Sequence, residues 1–146
     1  MKSAMRNKEA YPHIEVMPTR WADNDMYGHV NNVVYYAYFD TVVNRLLIKN
    51  GWLNPLQDKV IAVVAETQCQ FFSSVAYPDV LDIGLIVERV GNSSVTYCLG
   101  VFNQDKTEPA AEGRFVHVYV DSVTRQPVPI PAAMRQGLLA LTVNTC

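Results

Sequence analysis

The segment from Asn32 to Asn50 limits most strongly how this chain can fold. Val33, Val34, Ala37, Tyr38, Thr41, Val42, Arg45, Leu46 and Lys49 keep mostly helical spacing, and Gly51 follows Lys49 where a helix C-cap calls for glycine. The first half, Val33 to Phe39, is apolar or aromatic almost all round, so a helix buried on most sides is expected, with Asp40, Asn44 and Lys49 marking its wetter end. A helix that is wrapped rather than laid on a surface needs a curved sheet around it.

The remaining sequence supplies strands for such a sheet. Ile61 to Phe72, Val80 to Val90, Val95 to Asn103 and Ala110 to Asp121 are β-branched, aromatic and alternating, as in Arg114-Phe115-Val116-His117-Val118-Tyr119-Val120. Tyr77-Pro78-Asp79, Gly91-Asn92-Ser93 and Asn103-Gln104-Asp105-Lys106 read as the turns between them, the last two short enough for hairpins. His13 to Ala22 reads as a first strand, and Pro18 within it favours a sheet edge. The Pro127-Val128-Pro129-Ile130-Pro131 stretch closes the last strand and opens a short terminal helix, Ala132 to Leu141. The expected class is α+β: a strongly curved five-stranded antiparallel sheet around one long helix, with a short C-terminal helix.

With 146 residues the chain fits one domain, 1–146, with residues 1–10 expected as a short frayed arm rather than a signal peptide. A net charge of -2 and the lack of any Lys/Arg run argue against nucleic acid as partner, and no apolar run is long enough for a membrane span. Three cysteines, Cys69, Cys98 and Cys146, match neither a disulfide framework nor a zinc site. They read as reduced, the first two packed in the interior and the third on the tail, in a cytoplasmic protein.

Chemistry concentrates in Arg20-Trp21-Ala22-Asp23-Asn24-Asp25-Met26-Tyr27-Gly28-His29-Val30-Asn31-Asn32, just ahead of the helix. Unpaired N–H groups and the macrodipole at that helix end can polarise a carbonyl or hold an anion, and a carboxylate facing them suggests attack on an ester-like bond. A calcium loop would also place Asp23, Asp25 and Gly28 at its first, third and sixth positions. It fails at the twelfth, where Val34 replaces the bidentate glutamate. No Gly-x-Ser-x-Gly elbow and no nearby Cys-His pair point to a serine or cysteine hydrolase.

The pattern Arg20-x-x-Asp23-x-Asp25-x-x-Gly28-His29-Val30-Asn31-Asn32-x-x-Tyr35-x-x-Tyr38-x-Asp40, continued in Tyr77-Pro78-Asp79, Gly91-x-Ser93-Ser94 and Ala111-Glu112-Gly113, resembles the hotdog-fold acyl-CoA thioesterases of the 4-hydroxybenzoyl-CoA thioesterase type. The resemblance implies a hotdog fold and an acyl-CoA or related thioester as substrate, with no cofactor; a metal site from Asp23, Asp25 and His29 is not expected, for want of a further ligand. It maps the catalytic carboxylate onto Asp25, either as nucleophile forming a mixed anhydride or as general base on water, and the sequence leaves both open. It also places helix-start amides near Asn31 and Asn32 against the thioester carbonyl, where preorganised donors contribute about 3–4 kcal/mol each.

Around that pair, Gly28 is expected to shape the turn, Asp23 to be structural, and His29 to orient the loop or touch the reaction. Tyr35 is the candidate for lining the acyl site. Arg89, Ser93 and Ser94 are candidates for meeting coenzyme A, Arg89 as phosphate partner. His117 reads as structural. The resemblance further implies a homodimer, or a homotetramer of two such dimers, with each site at the dimer interface. The competing readings are a non-catalytic acyl-thioester binding or scaffold protein of the same fold, and a thioesterase acting on acyl carrier protein.

Overall fold

The computed structural model describes residues 6–142. Five strands and two helices follow in the order β1 (His13–Pro18), α1 (Asn32–Lys49), β2 (Val60–Phe71), β3 (Val80–Val90), β4 (Ser94–Asn103), β5 (Ala111–Asp121) and α2 (Ala132–Leu139). All strands form one antiparallel sheet in the spatial order β1-β3-β4-β5-β2. The strands on either side of α1 in sequence therefore occupy opposite edges, and α1 crosses the concave face to join them. This is the expected hotdog arrangement, with Pro18 on an edge strand.

Alternate residues of the inner strands, such as Leu81, Ile83, Tyr97, Leu99 and Phe115, form one core with Phe39, Val42, Val43, Leu46 and Leu47 of α1. Each such side chain contributes about 1.5–3 kcal/mol when taken out of water. Bulges between Val64 and Glu66 of β2 and between Val87 and Arg89 of β3 shift the register, and bulges of this kind bend strands. Gly113 of β5 lies against the Phe39 ring, which would collide with any side chain there. At the far end of α1, Gly51 takes φ +74° and the Trp52 amide donates to Leu47 O at 2.8 Å, closing the helix as its glycine foretold.

Three expectations need correction. The helix is not buried on most sides. Tyr35, Tyr38, Phe39, Val42, Val43, Leu46 and Leu47 are buried, but Val33 is 66% and Ile48 54% exposed, with Ala37, Asp40, Thr41 and Arg45 open between them. A single sheet covers only one side, and the open stripe runs beside β2, which among the described residues pairs with β5 alone and exposes Val64 and Phe71. Nor are residues 6–10 frayed. Lys8–Ala10 form a 3-10 turn, the Lys8 amide donates to Thr107 O at 3.1 Å and its ammonium pairs with Asp82 at 3.0 Å. The following Tyr11 ring fills a trough on the outer sheet face left by the paired glycines Gly84 and Gly100, a long-range fit that composition does not reveal. Cys69 and Cys98 are half-buried: Cys69 lies on the edge strand, and alternation puts Cys98 on the outer face, its Sγ 3.2 Å from Glu88 Oε1. Residues 1–5 of the arm and Cys146 lie outside the described residues.

Candidate active site

The loop between β1 and α1 is built around Asp23, whose side chain is fully buried. Its Oδ1 accepts from Arg20 Nε and a second guanidinium nitrogen at 2.9 and 2.8 Å, and its Oδ2 accepts from the Arg20 amide at 2.9 Å and the Tyr38 hydroxyl at 2.7 Å. Burial pushes this carboxyl up, but the hydrogen bonds from Arg20 and Tyr38 outweigh it and hold the group below its ordinary value. Both oxygens are thus committed, and the carbonyl of Asp23 also accepts from the Asn31 amide at 2.9 Å. Asp23 fastens the loop to the helix, as expected. Tyr38→Phe removes one charge-assisted bond and leaves packing intact, so it should lower the unfolding free energy by about 1.5–3 kcal/mol in urea denaturation. A change below about 0.5 kcal/mol would mean that Tyr38 does not hold the loop.

Asp25 sits two residues on, in a tight turn. Its amide donates to His29 O at 2.9 Å, its carbonyl accepts from Gly28 N at 3.1 Å, and its Oδ1 accepts from Tyr27 N at 2.9 Å. Oδ2 has no hydrogen bond among the described residues. Gly28 takes φ +86°, in the left-handed region, so the turn requires glycine at that place. The Val30 amide donates to Val75 O at 2.8 Å and ties the end of the loop to the segment after β2.

Asp25, half-buried, lines a cleft of about 380 Å3 with Val30, Asn32, Tyr35, Phe71, Phe72, Ser73 and Ser74. Asn31 is the helix N-cap and accepts from the Val33 amide at 3.0 Å through its side chain. That leaves the amide of Asn32, first residue of α1, without an intrahelical partner at the cleft wall. Tyr35 packs edge-on against Phe71 with ring centroids 4.9 Å apart. Asp25, whose Oδ2 has no hydrogen bond among the described residues, and the first residue of α1 therefore line one small, partly apolar cleft, a pairing of residues suited to attack on a carbonyl whose oxygen turns toward the helix.

Asp25, Asn32 and Tyr35 come together here. Gly28 and Asn31 support them from the turn and the cap, while His29 is exposed and does not line the cleft. Arg89, Ser93 and Ser94 are not brought to Asp25 within one chain. They sit at the β3–β4 hairpin, roughly 30 Å along β3 from Val80, next to the end where the loop docks. Arg135 of α2 pins that hairpin by donating to Gly91 O at 2.8 Å and Asn92 O at 3.0 Å. Sequence reasoning missed Phe71, Phe72, Ser73 and Ser74. Two adjacent aromatics running into two serines where a strand ends was the available signal, because alternation puts only one of such a pair in the core.

Residues 19–138 match the model of the thioesterase-like superfamily, and the chain belongs to that superfamily. It is 45% identical to the PA5185 protein of Pseudomonas aeruginosa strain PAO1, whose crystal structure it matches with a TM-score of 0.94 over 98% of this chain and 100% of that one. It is 30% identical to the uncharacterized protein YsmA of Bacillus subtilis strain 168 over 90% of this chain and 88% of its relative. The DHNA-CoA thioesterase of Staphylococcus aureus shares the fold, with a TM-score of 0.78 at 18% identity over 87% of each chain. Among the described residues no helix is long and apolar enough to cross a membrane.

Proposed function

We propose that the protein is an acyl-CoA thioesterase, hydrolysing a thioester to a free acid and coenzyme A. The observation that carries this reading is that Asp25 and Asn32, the first residue of α1, line one cleft. In the reaction the thioester oxygen lies against the Asn32 amide, which meets the negative charge that develops as the carbonyl is attacked. Asp25 either attacks the carbonyl carbon, expelling the thiolate and leaving an anhydride that water opens, or takes a proton from the water that attacks. Either way the C–S bond breaks and a C–O bond forms. Gly28 keeps the turn that presents Asp25, and Asn31 aims the helix amides. Membership of the thioesterase-like superfamily supports the reading. The experiment is steady-state hydrolysis of acetyl-, decanoyl-, benzoyl- and phenylacetyl-CoA, and of decanoyl-acyl carrier protein, with thiol release as readout. Turnover on a coenzyme A ester is expected, and no thiol release from any of them would favour a binding protein.

The working unit in this proposal is a homodimer made by pairing the free edges of β2. An unpaired strand edge beside a stripe in which exposed Val33, Ile48, Val64 and Phe71 alternate with Asp40, Thr41 and Arg45 is the kind of surface that a second copy covers. Antiparallel pairing also turns the partner end for end, which swings the partner's Arg89, Ser93 and Ser94 toward the cleft that they do not reach within one chain. Arg89 then meets a phosphate of coenzyme A. Sedimentation at micromolar concentration should show dimers or tetramers only. A monodisperse 16.4 kDa species would rule out a shared site.

A further inference from the structure

A cavity of about 430 Å3 lies at the opposite edge of the sheet from β2, between β1 and the last turns of α1. Its size falls within the roughly 300–1,000 Å3 of small-molecule sites. His13, Ile14, Glu15, Arg45, Ile48 and Lys49 line it, and none of them lines the Asp25 cleft. Strand pairing brings the polar members here: His13 is opposite Leu85 and Glu15 opposite Ile83, both core residues, so the two share the face turned toward α1. Glu15 is the hub. Its Oε2 lies 3.0 Å from His13 Nε2 and its Oε1 accepts from Arg45 Nη1 at 3.4 Å, and with its side chain only 14% exposed it needs both. Arg45 is held loosely in return. Its bonds to Glu15 and, at 3.5 Å, to Val16 O are near the limit for hydrogen bonds, and half of its side chain is exposed. Lys49 is exposed and makes no hydrogen bond or ion pair among the described residues.

Charge and lining together define the occupant. Arg45 and Lys49 against Glu15 leave one positive charge when His13 is neutral, which a singly charged anion balances. A phosphate dianion would overshoot that balance with the Glu15 carboxylate already in the lining. A planar guanidinium also matches the two oxygens of a carboxylate. Ile14 and Ile48 are large apolar side chains left exposed, and with the carbon stems of Arg45 and Lys49 they suit an apolar body. An added strand is the poorer occupant, because Pro18 ends β1 and Arg45 reaches back over the strand to Val16 O. We propose that this cavity binds a small organic monocarboxylate, with the charged end held by Arg45 and Lys49 and the apolar body against Ile14 and Ile48. The assignment does not depend on the thioesterase reading. The acid that thioester hydrolysis releases belongs to the same chemical class, so binding rather than activity has to be measured.

The test titrates octanoate, acetate, octanamide and inorganic phosphate into the full chain, followed by calorimetry and by the ring-proton NMR signals of histidine. Of the three histidines only His13 lines this cavity, and His13→Gln assigns its signal. Octanoate should shift that signal saturably. Acetate lacks the body, octanamide lacks the charge and phosphate mismatches it, so each should bind at least about tenfold more weakly. Arg45→Gln and Lys49→Gln, at exposed positions, should each weaken octanoate about five- to tenfold with the far-ultraviolet circular dichroism unchanged. No saturable His13 shift below about 10 mM octanoate, or equal affinity for octanoate and octanamide, overturns the proposal. Phosphate binding tighter than octanoate overturns the ligand class. Octanoate binding that calorimetry detects but that is silent at His13 and indifferent to Lys49→Gln places the acid elsewhere on the protein, and this too overturns the proposal while leaving the thioesterase reading standing.

Discussion

Asp25→Asn is expected to lower kcat for thioester hydrolysis by about 10²–10⁴-fold, with a smaller effect on KM. The substitution is nearly isosteric, and the amide oxygen of asparagine can still accept from Tyr27 N, so the turn closed by Gly28 should keep its shape. What is lost is the negative charge and basicity of the oxygen that has no partner in the described residues, which is the group either mechanism requires. Circular dichroism and sedimentation matching the parent would establish that the fold survives. Near-parental turnover would then remove Asp25 from the mechanism. The parent can be followed further by a single turnover in oxygen-18 water. If Asp25 attacks the carbonyl and water opens the anhydride at the Asp25 carboxyl carbon, the first acid released carries an oxygen from the Asp25 carboxylate and the label enters the protein, which identifies nucleophilic attack. If Asp25 activates water, or water opens the anhydride at the acyl carbon, the label goes straight into the acid.

Local features of this site were legible in the sequence because they are encoded within a few residues of one another. Gly28 and the Asn31 cap lie within one loop, and their places follow from turn and helix-end chemistry that needs no distant contact, whereas the choice of Asp25 over Asp23 comes only from the family resemblance. The long helix, the alternation of the strands and the edge position signalled by Pro18 are legible for the same reason. What stayed hidden depends on strand pairing. Phe71 to Ser74 complete the cleft only because Phe72 N and Ser73 N both donate to Ala110 O, at 2.8 and 3.1 Å, which turns the chain at the end of β2 toward the start of α1. The open stripe of α1 was misread because an apolar circumference does not distinguish burial by the chain's own sheet from an exposed face that another copy would cover. Tyr11 illustrates the same limit: its place is set by Gly84 and Gly100, paired across two strands far from it in sequence.

Acidification from pH 7.5 to 4.5 is expected to cost the parent roughly 2–3 kcal/mol of stability through His117 alone. The imidazole is 2% exposed, lies edge-on to Phe115 with centroids 5.0 Å apart, and burial pushes its pKa down to about 4. In the unfolded chain the same group titrates near about 6.5. Between those values the unfolded state binds a proton that the native state refuses, so the native state loses ground as pH falls from about 6.5 and the loss is complete only below about 4. Asp23 acts in a lower window. Its folded-state pKa is depressed, so its contribution is present above the ordinary carboxylate value of about 3.9 and fades only as pH drops through the depressed one. Urea denaturation at fixed protein concentration, at pH 7.5 and 4.5, separates the two groups. His117→Phe suits the aromatic surroundings and removes an unpartnered nitrogen, so its stability should change less over this interval than the parent's by about the amount given above. Equal pH dependence in parent and variant would show that His117 is not held neutral by burial.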